Sequence, residues 1–320
     1  MKKLVVAAGI VVCIAFGMPA IAQTKPTIPV IVKDMTSAYW RTVLAGARKA
    51  GQDLGVNVVE LGAQSESDVS GQISILEKAV ASNPAAIVIA PAQFAALGKP
   101  IDEAAKKVKI IGIESAADTK AMTSLLATDN VNAGRVAADA LAVAITKSSA
   151  DTEGDVVMIA SMPGVPSLDQ RVKGFKEVVT AKYKALDITA EKVADGKPAT
   201  VLGIMNDLIA NTGDLRGVFV SDPITAQAVS QAVVEKKTND KINIVGVGSD
   251  EKLVKFLQDD VIAGLVVEDP FRMGYDGVKT ALAASKGEQV SANIDTGATL
   301  VTKANMSSAR SQELLKPKVK

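Results

Sequence analysis

From about residue 28 to residue 285 the chain repeats one unit: a short apolar run rich in Val and Ile, then a longer stretch with helical spacing. The runs at 28–32, 56–61, 86–90 and 109–113 carry apolar residues on both faces, so neither face of those strands can be left in water. Helices predicted over 38–54, 68–82 and 94–107 lie between them. A fifth short strand is predicted at 125–128. The pattern then restarts with a helix at 130–146 and a turn at Asp151-Thr152-Glu153-Gly154. Strands at 156–160, 188–194, 217–220, 242–247 and 262–267 follow with helices between them, and a last helix covers 271–285. Strands joined by helical crossovers make parallel sheets covered on both sides. At 320 residues the chain exceeds one ordinary core, so the expected fold class is α/β, with two doubly wound parallel sheets. Ligands of such sheets bind outside the carboxyl ends of the strands. Ser307 and the residues after it are polar and end basic, which predicts a solvated tail.

Composition removes several kinds of chemistry. The chain has no histidine and one cysteine, which excludes Ser-His-Asp and Cys-His catalysis and the ordinary zinc sites. Lys and Arg number 36 against 35 for Asp and Glu, a balance that argues against a nucleic-acid partner. No dinucleotide fingerprint, phosphate loop or nucleophile-elbow motif is found. Gly246-Val247-Gly248-Ser249-Asp250 reads as a loop between a strand and a helix. A glycosidase built on two acids stays formally open, although nothing singles out a pair. No cofactor is expected and no acidic calcium loop is found, so no metal is expected either.

The amino terminus addresses the chain. Lys2 and Lys3 precede an apolar run from Leu4 to Met18, Pro19 breaks it, and Ala20-Ile21-Ala22 has the form of a cleavage site before Gln23. This reads as a secretory signal peptide over residues 1–22. The run is shorter than the roughly 20 residues that span a bilayer. Cys13 sits inside it without a small residue before it, unlike a lipid-attachment cysteine. The leader directs export, so the mature chain is expected in the periplasm, as a monomer; its cysteine leaves with the leader, so no disulfide can brace it and it relies on packing alone.

Aromatic residues make up only 3% of the chain. Tyr39 and Trp40 stand together just past the first strand, in Asp34-Met35-Thr36-Ser37-Ala38-Tyr39-Trp40. A pair there is placed to stack on the apolar face of a sugar ring; core packing at the start of the helix is the alternative. Val69-Ser70-Gly71-Gln72 leads the second helix, Thr128-Asp129-Asn130 follows the fifth strand, and Arg171-Val172-Lys173-Gly174-Phe175 has the form R-x-x-G-F. With Ile244-Val245-Gly246 in a late strand, the order and spacing of these motifs resemble the periplasmic sugar-binding proteins of the ribose-binding type, which serve ABC importers. The resemblance covers essentially the whole mature chain.

That resemblance implies two lobes joined by three crossovers and closing around one small molecule. The crossings are expected at Asp129, near Glu268-Asp269 and near Ile294, with Asp129 and Asp269 in the hinge. One lobe would comprise 23–128 plus 269–292, the other 129–268 plus 293–320. The implied ligand contacts are Ser37, Tyr39, Trp40, Glu114, Ser115, Arg171, Asp222 and Glu268. Several depart from the family: Ser37 stands for an asparagine, Glu114 for an aspartate, Ser115 for an arginine, Asp222 for an asparagine and Glu268 for a glutamine. Gly196 falls where an aromatic is usual, and Gly248 where an aspartate is, with Ser249 or Asp250 as replacements. Asp169-Gln170 is similar to the acid-amide pair of quorum-signal-binding relatives, which adds Asp169 as a candidate.

Glu114, Asp222 and Glu268 against Arg171 would leave the site at −2. Unpaired buried carboxylates are costly, so this count favours an amino sugar or a polyol. A plain aldose remains the alternative if an acid or two face solvent. The expected function is solute capture for an ABC permease in the inner membrane, without bond chemistry. Two rivals stay open: a sensor presenting its ligand to a chemoreceptor or answering a quorum signal, and a secreted carbohydrate-active enzyme.

Overall fold

The computed structural model describes residues 25–316 apart from Met162 and Gly164. The expected signal peptide lies outside the described residues. The strands are β1 (Thr27–Val32), β2 (Asn57–Gly62), β3 (Ala86–Ile89), β4 (Lys109–Ile113), β5 (Ser124–Ala127), β6 (Gly154–Ala160), β7 (Leu186–Val193), β8 (Leu215–Val220), β9 (Asn243–Val247), β10 (Gly264–Glu268), β11 (Asn293–Asp295) and β12 (Ala298–Val301). The helices are α1 (Ala38–Leu54), α2 (Val69–Ala81), α3 (Phe94–Ala105), α4 (Asn130–Ser149), α5 (Pro166–Lys182), α6 (Pro198–Asn211), α7 (Pro223–Glu235), α8 (Glu251–Gln258), α9 (Pro270–Ser285) and α10 (Ala309–Leu315).

Two six-stranded sheets result, in the orders β11-β5-β4-β3-β1-β2 and β12-β10-β9-β8-β6-β7. Every pairing is parallel except β10 with β12. The orders correspond position for position, so each sheet has its switch point beside its first strand, where ligands bind such folds. Successive strand residues enter different cores. Ile28, Val30 and Val32 join Trp40 and Val43 under α1 and α9, while Ile31 packs with Leu76 and Leu97 under α2 and α3. In β8, Val218 and Val220 face one core and Phe219 the other, where it stacks on Phe175 at 4.4 Å between centroids.

Aspartates start many of the helices. Asp68, Asp129, Asp222, Asp250 and Asp269 each accept a backbone N–H from the first turn of α2, α4, α7, α8 and α9. Such a cap answers one of the donors a helix leaves free at its start, and is worth about 1 kcal/mol. Pro223 and Pro270 then open α7 and α9, where a missing N–H is harmless.

Two segments differ from the sequence-based expectation. β11 pairs with β5 of the first sheet, so the chain leaves that sheet just after Asp295, one residue past Ile294. Residues 293–295 therefore sit with the first sheet, not with the second as expected. The supposed tail contains α10, whose Leu314 and Leu315 are buried in the second core. Ser308 caps it by accepting the Ser311 N–H. Two adjacent leucines on one short helical face are enough to dock it, though they do not stand out in a polar stretch.

Candidate functional site

The carboxyl ends of β1 and β4 bring together the first half of the site. Lys33 follows β1, and its Nζ lies 2.6 Å from Glu114 Oε2 and 2.7 Å from Ser115 Oγ. The Ser115 hydroxyl donates to the same Glu114 oxygen. Burial alone would raise the Glu114 carboxyl, but the charge and hydrogen bond of Lys33, with Ser115, hold it below the usual carboxylate range. Glu114 is therefore an anion at neutral pH. Its backbone is left-handed, with φ of 62°, an unusual conformation for a side chain of this size.

The second half comes from α5, α4 and the carboxyl ends of β8 and β10. Arg171 is 5% exposed, and each of its nitrogens has a partner. Nε donates to Asn130 Oδ1 at 2.7 Å, Nη1 to the Ser221 carbonyl at 3.0 Å, and Nη2 to Glu268 Oε1 at 2.9 Å. A guanidinium so held is fixed before any ligand arrives.

Tyr39, half-buried at the start of α1, lies where the halves meet. Burial pushes its phenol well above the usual range, and the negative charges of Glu268 and Glu114 push it the same way. Those carboxylates stand at strand ends of different sheets, so Tyr39 feels the charge at the carboxyl ends of both. The phenol stays protonated, and its hydroxyl meets the Met273 sulfur at 3.8 Å.

Other expected residues take structural parts as well. Trp40 is 2% exposed and belongs to the first-sheet core. It meets Tyr39 edge to face at 4.9 Å, lies under Lys33 at 5.6 Å, and donates its indole N–H to Glu66 Oε1 at 2.6 Å. Ser37 caps α1, accepting the Trp40 N–H. Asp222 accepts the Thr225 N–H on one oxygen, and the Ser161 N–H and Thr225 hydroxyl on the other. Asp250 caps α8 and accepts from Gln227. Gly196 has φ of 80° and no side chain with which to stack. Asp169 is exposed in the first turn of α5.

Where the chain passes between the sheets, Asp295 Oδ1 accepts the Asp129 N–H at 3.0 Å, joining two of the three crossings. Asp269 caps α9 and pairs with Arg310 at 2.5 Å.

Sequence reasoning missed Lys33 and Asn130 as members of these clusters. Lys33 had a readable signal, since a charged residue directly after a continuous apolar strand stands at the end where such sheets bind. Its inclusion changes the charge count: two cations face Glu114, Asp222 and Glu268, and Asp222 is already engaged by three donors. The site is a set of carboxylate–cation pairs, each presenting an acceptor beside a donor, which suits neighbouring hydroxyl groups. A separate cavity of about 710 Å³ lies at the opposite end of the first sheet, lined by Lys25, Thr27, Val59, Lys78 and Asn83 among others.

The profile of the periplasmic binding protein domain matches residues 28–289. A ribose import binding protein of Haemophilus influenzae is 26% identical over 92% of this chain and 97% of its own. A carbohydrate transporter solute-binding protein of Agrobacterium radiobacter, solved in complex with D-arabinose, is 59% identical. It superposes with a TM-score of 0.83, covering 92% of this chain and all of that one. An ABC transporter solute-binding protein of Agrobacterium vitis with bound D-fucose is 31% identical at a TM-score of 0.77, over 90% and 99% of the two chains.

Proposed function

The chain belongs to the periplasmic binding protein domain family, and from that premise we propose that it captures a neutral monosaccharide between its two sheets for an ABC importer. D-arabinose, the sugar bound by the Agrobacterium radiobacter relative, is the first candidate. The observation that carries this reading is the pair of largely buried ion pairs at the carboxyl ends of the two sheets, Lys33–Glu114 and Arg171–Glu268, whose carboxylates both act electrostatically on the Tyr39 phenol. Each of these acids comes with its own cation, so the site does not need charge from its ligand. What it supplies is alternating donors and acceptors, the complement of a ring of hydroxyls.

This reading replaces the amino sugar favoured by the simple charge count. That count included one cation; with Lys33 the incentive for a cationic ligand weakens. Lys33, Glu114 and Ser115 would hold the ring from one side, and Arg171 and Glu268 from the other, with Tyr39 against its apolar face. Ser37 and Asp222 support this arrangement by fixing helix starts. A sugar gripped from both sides favours the closed form by its differential affinity for it. That form would be what the permease recognises, after export directed by residues 1–22.

Isothermal titration of refolded, ligand-free mature protein tests the charge argument. D-arabinose is expected to bind, and 2-amino-2-deoxy sugars to bind at least about tenfold more weakly, because a buried ammonium would lose its water beside carboxylates already paired with Lys33 and Arg171. Tighter binding of the amino sugars would overturn the neutral-ligand reading.

A further inference from the structure

The geometry points to Glu66 as a positioning residue for the binding site, acting through Trp40; this rests on the sugar-binding reading above. Glu66 lies in the loop between β2 and α2, exposed on the flank of the first sheet. Its Oε1 accepts the indole N–H of Trp40 at 2.6 Å. Nearby, the buried carboxylate of Asp34 accepts the N–H groups of Thr36 and Ser37 at 2.6 and 2.7 Å, and Ser37 in turn accepts the Trp40 N–H. One exposed side chain thus ties the loop after β2 to the first turn of α1.

The consequences run inward. The Trp40 indole lies edge to face with Tyr39, and Lys33 Nζ rests over its ring at 5.6 Å. Lys33 in turn holds Glu114 and Ser115. Glu66, Trp40, Lys33 and Glu114 form a continuous series from the rim to the site. A hydrogen bond from the indole to a carboxylate fixes the ring about its long axis and makes its face more electron-rich. That strengthens its attraction for the Lys33 ammonium. Without Glu66 the indole N–H, on a residue 2% exposed, would lose its acceptor, and the ring would be free to turn away from Lys33 and Tyr39.

The single tryptophan of the chain makes this testable by emission. Glu66→Ala is expected to weaken D-arabinose binding by about tenfold, the loss of one hydrogen bond to a charged group, and to change the Trp40 emission of the ligand-free protein. Glu66→Gln keeps an acceptor oxygen and should restore affinity to within about threefold of wild type. A merely structural role would lower the melting point without this rescue or the emission change. If Glu66→Ala leaves either affinity or emission unmoved, or if Glu66→Gln is as impaired as Glu66→Ala, the assignment is overturned. Should the unmodified protein itself fail to bind D-arabinose, the choice of sugar is wrong, and the emission of the ligand-free variants decides the role of Glu66 alone.

Discussion

Glu114 holds a left-handed backbone conformation that costs a side chain of its kind roughly 1–2 kcal/mol, and it persists because the residue is pinned from several sides. Its backbone N–H donates to the Leu126 carbonyl, while Lys33 and Ser115 hold the carboxylate. Lys33→Met removes the cation and keeps the apolar stem, leaving the carboxylate buried without its main partner. Breaking such a pair costs about 3–5 kcal/mol at neutral pH. The pH dependence has a definite sign. In the wild type the Glu114 carboxyl is depressed, so its stabilising contribution is present above the ordinary carboxylate range and is lost as pH falls through the depressed value. In Lys33→Met burial still disfavours the charged form, the carboxyl moves up, and protonation relieves the variant as pH falls. Urea unfolding should therefore show the gap between the two proteins narrowing from about pH 7 to about pH 4. A constant gap would mean that Lys33 contributes by packing and not by charge.

At the scale of elements, two helix pairs hold the halves of the site. A Cβ at Gly46 of α1 would collide with the Phe271 carbonyl oxygen, and one at Gly274 of α9 with that of Val43. In the second half the same relation joins Gly134 of α4 with the Arg171 carbonyl, and Gly174 of α5 with that of Val131. These crossings bring backbone onto backbone, and the second holds Arg171 against Asn130. Gly174→Val has no flexible neighbour to displace, so it should lower stability by about 1–3 kcal/mol or more. It should also weaken sugar binding, because α5 carries the guanidinium. Denaturant unfolding and titration check both effects; a variant with wild-type stability would show that the helices can part. The strands and helices around these crossings were legible because apolar periodicity reports which faces are covered. The roles of acids at strand ends were not. An aspartate between a strand and a helix is equally suited to cap the helix or to meet a ligand. Asp222 and Asp250 turn out to be caps, whereas Glu114 and Glu268 cap nothing and extend to basic partners. Their longer stems and the cations that meet them distinguish the two groups, and those cations arrive from distant parts of the chain.

Across the whole molecule, three crossings link sheets of matching strand order, and Asp295 ties the first crossing to the third. Family membership and the two-sheet architecture were readable from the order of several weak motifs. The site's charge was not, since Lys33 and Glu114 are 81 positions apart in sequence and meet only because β1 and β4 both flank β3. That meeting turns an apparent excess of acid into a nearly balanced site, and the choice of a neutral sugar depends on it. A crystal structure of the mature protein grown with D-arabinose would test this most directly. We expect the ring between the sheets with its apolar face toward Tyr39, and its hydroxyls within hydrogen-bonding distance of Lys33 and Glu114 on one side and of Arg171 and Glu268 on the other. A sugar bound elsewhere, for example in the cavity between Lys25 and Lys78, or one touching only one sheet, would contradict it.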